Sequence, residues 1–255
     1  MNSLLHYDLL RLEAFQNNQA VRNSIAIAQE GGLTLLKFKP VKYFNYCLGK
    51  IESPKMLDLI RDFYTDTVEK QHQILIDTED EASKAILSHC PDYQIDQKIA
   101  VMCLPPGARY HRFVHTDIRL KQVSENEISE FAWLYLDCFE AENRHAESVE
   151  ENFLHKLRVD GLKFYFIQRN EQNVGITGLY QNAEFELLSV GAIKYEFRNL
   201  GFHKAALSWR IDHCRNQNPD LPIFSWAYQN SISHCNMIKS GMSLFQELLS
   251  YKYVG

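Results

Sequence analysis

At 255 residues the chain is long enough for one large domain or two smaller ones, each with a core of its own. A composition of 45% hydrophobic, 23% charged and 12% aromatic residues excludes disordered, collagen-like and fibrous classes. A formal net charge of −5 gives no reason to expect nucleic acid, so any polyphosphate would have to be held by local geometry.

The first residues, Met1 to Asp8, have neither a basic nor an apolar leader region, and no apolar run approaches the roughly 18 residues of a membrane span. A cytoplasmic protein with no membrane partner is expected. The six cysteines (47, 90, 103, 138, 214, 235) are scattered without C-x-x-C spacing, which points to reduced thiols. The ten histidines form no H-x-x-H or H-E-x-x-H pair, so no metal site is expected.

In chain order, residues 2–22 read as a helix with an apolar face from Leu4, Leu5, Tyr7, Leu9, Leu12 and Phe15. Ser24–Gln29 and Leu33–Phe38 read as a hairpin around Glu30-Gly31-Gly32, and Tyr43–Leu48 as a further strand. Ser53 and Pro54 open a helix whose expected buried stripe is Met56, Leu57, Leu59, Ile60, Phe63 and Tyr64. A strand Gln73–Ile76, a helix Glu79–His89 and an extended segment Tyr93–Leu104 follow. Pro105-Pro106-Gly107 is the strongest breaker, and it sets the expected boundary between a lobe at 1–108 and a second domain at 113–255.

The second part reads as a strand (Val114–Val123), helices at Glu125–Ala141 and Ala146–Leu157, and three strands joined by short connections (Leu162–Gln168, Val174–Tyr180, Phe185–Ile193). A helix then runs to about Asn216, followed by a strand Ile223–Tyr228, a short helix Asn230–Lys239 and a last extended segment Leu244–Tyr253. Between the third strand and the long helix lies Arg198-Asn199-Leu200-Gly201-Phe202-His203-Lys204. A strand turning into a helix aims unpaired N–H groups and the positive dipole end at whatever binds there, which favours an anion.

The spacing Arg198-x-x-Gly201, together with the order β-α-α-β-β-β-α-β-α-β over residues 113–255, resembles the GCN5-related N-acetyltransferase (GNAT) superfamily. The resemblance implies an α+β fold with a central, mostly antiparallel twisted sheet, preceded here by a smaller α+β lobe that reads as a degenerate, non-catalytic GNAT-like half. It implies that the main chain of Arg198, Asn199, Leu200, Gly201, Phe202, His203 and Lys204 cradles the pyrophosphate of acetyl-CoA. His203 stands where the family has Gly or Ala, so its side chain must turn away or reach a phosphate itself. Gly191, Ala192 and Ile193 match the strand that pairs with pantetheine, although an isolated strand glycine also marks bulges. The proline common at the Tyr195 position is missing. Asn230, Ser233 and Gly241 match a second family pattern, with Asn236 sharing a helical face with Asn230 and Ser233.

For chemistry, the resemblance implies direct attack of a primary amine on the thioester, the amine belonging to a small molecule or peptide. Glu186 is the candidate general base. The family's tyrosine acid is replaced by Met237, which leaves Tyr228, Ser233 or Tyr253, departure of the thiolate unaided, or an acyl-CoA-binding regulatory protein without turnover. Neither the acceptor nor the choice between monomer and homodimer is legible.

Overall fold

The computed structural model describes residues 3–141 and 146–255. It clusters into two compact units: Met1–Val101 with Ala227–Gln229 and Phe245–Gly255, and Met102–Trp226 with Asn230–Leu244. The described residues form seven α-helices and eleven strands, and most strand pairs are antiparallel.

In the first unit, α1 (Ser3–Phe15) precedes the hairpin β1 (Ile25–Glu30) and β2 (Leu33–Phe38). The turn closes because Gly31 takes φ +56°, and Glu30 faces Leu33 across it. The expected first helix is shorter than 2–22, and residue 2 lies outside the described residues. Next come β3 (Tyr46–Gly49), α2 (Lys55–Tyr64), β4 (Gln73–Asp77), α3 (Glu81–Ser88) and β5 (Tyr93–Leu104). Leu57, Ile60 and Tyr64 recur on one face of α2 and pack with Leu33, Leu35, Cys47, Ile74 and Ile76. Asp80 caps α3 by accepting from the Ser83 N–H at 3.1 Å.

The last strand, β11 (Ser243–Tyr253), lies antiparallel to β4, with Leu249 opposite Ile76 and Tyr251 opposite Ile74. Sequence order placed residues 245–255 in the second domain; the structure assigns them to the first unit. In return, Met102–Leu104 at the end of β5 go to the second unit, so the boundary falls before Met102 rather than after Gly107. The alternation of a strand's residues states which face is buried, not which neighbour it will pair with.

The second unit holds β6 (Ile118–Gln122), α4 (Ile128–Cys138), α5 (Ala146–Leu157), β7 (Leu162–Arg169), β8 (Gln172–Gln181), β9 (Glu186–Ile193), α6 (Phe202–Gln217), β10 (Ile223–Tyr228, of which 223–226 belong here) and α7 (Ile232–Lys239). Ser124 and Glu127 form a capping box ahead of α4. Phe131, Phe153 and Phe164 meet at centroid separations of 5.0 to 5.3 Å, which clamps α4 and α5 onto β7. On the other side, Ile167, Val174 and Ile193 pack against Phe202 and Ala206 of α6.

Candidate functional site

The site is built where β9 leaves β10. The two strands run parallel but pair at only two positions, Glu186 with Ile223 and Leu187 with Phe224. The Ser225 hydroxyl donates to the Leu188 carbonyl at 2.9 Å, and beyond it no ladder pair joins the two strands among the described residues. On its other edge β9 stays paired with β8 to its end, Ile193 opposite Gly175. Ser189 to Ile193 therefore have one edge free, a place where an extended chain of amides can be added as a strand.

Past Ile193 a short 3-10 turn, Tyr195–Phe197, leads to two residues in the left-handed region, Asn199 (φ 64°) and Gly201 (φ 83°). Gly201 is the residue before α6 and offers no side-chain cap. A Cβ there would also lie 3.3 Å from the Phe113 ring, so glycine is required on two counts. The N–H groups of Asn199 to Lys204 have no acceptor among the described residues, and the first turn of this 16-residue helix carries no acidic residue. Clustered, unpaired donors at a helix N-terminus favour an anion.

The side chains of the loop are committed elsewhere. Arg198 turns back: its Nε donates to the Ile193 carbonyl at 3.2 Å, one terminal nitrogen to the Cys138 carbonyl at 2.8 Å, and the other pairs with Glu140 at 2.7 Å. It ties the turn to the end of α4 rather than presenting its charge to a ligand. Lys204 holds its ammonium 4.2 Å from the Phe113 ring centroid. His203 turns inward. Asn236 on α7 donates its amide to His203 Nδ1 at 3.1 Å, which leaves the imidazole proton on Nε2. Burial, and then the charge of Arg210, push the His203 pKa down to about 4, so the ring is neutral at ordinary pH.

Gly191 faces the same helix. A side chain there would lie 3.3 Å from both His203 Nε2 and an Arg210 terminal nitrogen. Gly191, His203 and Asn236 are thus brought together, with Ala192 and Ile193 following along the strand. Arg210 was not singled out from the sequence, because an arginine amid polar residues of a helix reads as surface; here it is 2% exposed.

Asn230 stands apart. It is exposed with φ 64°, and its main-chain N–H donates to His234 Nδ1 at 3.1 Å. The cap of α7 is Ser231, which accepts from the His234 N–H, so Asn230 precedes the helix and does not share its face with half-buried Ser233 and Asn236. The chain's left-handed turn at Asn230 is what moves it off the helical spacing.

Glu186 moves out of the site altogether. It sits where β9 is still joined to β10, seven residues and so ~23 Å along the strand from Ile193 at about 3.3 Å per residue. Its side chain is fully buried and accepts from Gln181 at 2.9 Å and Asn218 at 2.8 Å. Burial, and then this carboxylate, push the Cys214 thiol up. The carboxylate ties the start of β9 to the C-terminal end of α6 through Gln181 and Asn218. Met237 is 3% exposed and packed inside. Tyr253 belongs to the first unit, where its ring stacks on His72 at 4.7 Å. Among the described residues no cluster of three or more His, Cys, Asp or Glu side chains could hold a metal ion, and no helix is long and apolar enough to cross a membrane.

No family model matches the sequence, and no curated protein matches it. Solved structures do match along the whole chain. A GCN5-related N-acetyltransferase from Sphaerobacter thermophilus superposes with a TM-score of 0.67 at 11% identity, covering 96% of this chain and 91% of that one. A GCN5-related N-acetyltransferase from Kribbella flavida gives 0.66 at 12% identity, covering 97% and 96%. A tandem GNAT protein from the clavulanic acid biosynthesis pathway gives 0.59 at 10% identity, covering 96% and 93%. With the splayed strands and the turn into α6, these likenesses establish that the chain has the fold of the GCN5-related N-acetyltransferases.

Proposed function

We propose that the second unit binds acetyl-CoA and transfers its acetyl group to a primary amine of a small molecule or peptide, while the first unit takes no part in the transfer. The observation that carries this reading is the free edge of β9 running directly into a turn with two left-handed residues and an uncapped helix N-terminus. The main chain of Gly191, Ala192 and Ile193 suits pairing with the amides of a pantetheine arm. The N–H groups from Asn199 to Lys204 suit a pyrophosphate. When bound, acetyl-CoA supplies an acetyl group already activated as a thioester. The chain's own contribution is to fix the reacting groups in place and to aim a main-chain N–H near Ile193 at the carbonyl oxygen. Free cysteines throughout the chain fit a reducing compartment such as the cytoplasm.

Thermal unfolding with acetyl-CoA tests the reading. At 100 times its dissociation constant a ligand adds about 2.7 kcal/mol to the folded state. Gly201→Glu, which puts a side chain into the left-handed position and a negative charge at the anion site, is expected to abolish that gain. No stabilisation of the wild type, or equal stabilisation of Gly201→Glu, sinks the assignment. Thiol release from acetyl-CoA in the presence of polyamines, amino acids, aminoglycosides and peptide N-termini then tests transfer.

A second reading, an acyl-CoA-binding protein without turnover, is supported by two observations: Met237 is buried where an acid is expected, and Glu186 is withdrawn to the far end of β9. Stabilisation by acetyl-CoA with no thiol release across that amine panel would select it.

A further inference from the structure

The free edge of β9 has a local cause. Leu188 pairs with Leu179 and Gly191 with Thr177, so Ser189 and Val190 together face the single residue Gly178 in a β-bulge. The bulge begins one residue after β9 makes its last bond to β10. A bulge bends its strand and leaves carbonyls without ladder partners. Here side chains supply the missing donors. One terminal nitrogen of Arg210 donates to the Gly178 carbonyl at 3.0 Å and to the Ser189 carbonyl at 3.2 Å, bridging β8 and β9. The Thr177 hydroxyl donates to the Val190 carbonyl at 3.0 Å. Arg210 Nε leans on the Ala206 carbonyl of its own helix at 3.4 Å.

A guanidinium buried without a carboxylate is costly, and no acidic side chain pairs with Arg210 among the described residues. Solvation by three carbonyls, two of them orphaned by the bulge, offsets that cost. Glutamine at this point lacks the charged nitrogen that reaches both strands, and lysine keeps a charged donor but loses the rigid guanidinium and its Nε contact to the Ala206 carbonyl.

We propose that Arg210 is a positioning residue for the acyl-CoA site: its guanidinium holds the β8–β9 bulge, and the bulge holds the Gly191–Ile193 edge away from β10. The inference rests on the functional reading above for its ligand, but not for its mechanics.

The test uses the full chain with Arg210→Gln, Arg210→Lys and Thr177→Val. Hydrogen–deuterium exchange without ligand is expected to speed up roughly tenfold across Gly175–Gln181 and Glu186–Ile193 in Arg210→Gln, as lost bonds at a buried site allow local opening. Exchange in β6 and β7 should stay as in the wild type. Acetyl-CoA affinity should fall by about the same factor, with Arg210→Lys intermediate and Thr177→Val a smaller step in the same direction. Wild-type exchange in these two segments in Arg210→Lys and Thr177→Val overturns the proposal. So does wild-type acetyl-CoA affinity in a variant whose segments do open. If Arg210→Gln fails to fold, the two milder variants decide. If the wild type binds no acetyl-CoA, the functional reading fails, and exchange alone still decides the role of Arg210.

Discussion

The two units contain the same passage, strand, turn, helix, parallel strand, and only one of them opens. In the first unit β3 pairs with β4 along three of its four residues, Tyr46 with Gln73 to Leu48 with Leu75. The turn after it is filled by the protein itself: the Ser83 hydroxyl takes the Ile51 N–H at 2.7 Å, and Ile51 is 1% exposed. Its helix α2 carries Asp58 in the first turn. In the second unit β9 and β10 separate after two pairs, the turn donors are left over, and the helix begins without an acid. Element order, then, makes the scaffold. A bulge, a pair of left-handed residues and turn donors with no acceptor among the described residues are what set the second unit apart.

That contrast can be broken most forcefully at its glycines. Gly49 has φ +143°, and a Cβ on it would lie 2.0 Å from the Gly32 carbonyl oxygen. Gly49→Ala should cost about 3–5 kcal/mol, because the clash is with main chain that has nowhere to go. The denaturation midpoint measures it, and a loss under ~1 kcal/mol would show that the first unit is not zipped as described. Gly201→Glu should cost less, about 1–3 kcal/mol for a side chain at positive φ against a ring that can give way, and should also remove the ligand's contribution of about 2.7 kcal/mol. Equal loss of ligand stabilisation in both variants would erase the distinction between the units.

A second contrast lies in two histidines of opposite tautomer, His72 buried and His203 half-buried. His72 in the first unit donates from Nδ1 to the Lys70 carbonyl at 2.8 Å and accepts from Tyr93 at 2.8 Å on Nε2. His203 accepts on Nδ1 from Asn236. Burial, above all, lowers both pKa values to about 4. Between about 6.5 and 4 the unfolded chain binds protons that the folded chain refuses, so stability falls as the pH drops through that window. His72, at 3% exposure, should account for about 3 kcal/mol of the fall. His203, only partly shielded from solvent, should account for less. Unfolding curves from pH 7 to 4 should be flatter in His72→Gln and, to a smaller extent, in His203→Gln; slopes equal to the wild type would mean the rings titrate normally.

The smallest effect sharpens the comparison from the closed side. Ser83→Ala leaves the Ile51 N–H without its acceptor and should destabilise by roughly 1–3 kcal/mol. Acetyl-CoA affinity should not change, and a changed affinity would tie the first unit's turn to binding.

Much of this was legible in the residues. Tyr93–Leu104, Ala146–Leu157 and Ile223–Tyr228 have the bounds their patterns indicate, because alternation, helical spacing and flanking breakers are local properties. The turn at Asn199–Gly201 was legible for the same reason, a glycine between a strand and an apolar-faced helix. Glu186 was not. Its place on β9 follows from sequence, but whether it lies on the joined or the splayed part depends on where β10 departs. Asn230 read as part of α7 until a left-handed residue and the Ser231 cap set the helix start two positions later. Arg210 gave no signal, since burial of a charge is decided by what stands opposite it.

By itself the sequence determined the elements, their order and the anion-favouring turn, all set by interactions within a few residues of chain. Tertiary structure alone decided which strands separate, that β11 closes the first unit beside β4, and that His203 and Arg210 turn inward against Gly191. Those outcomes depend on pairing partners distant in sequence and on buried polar groups finding donors and acceptors, and no local pattern encodes them.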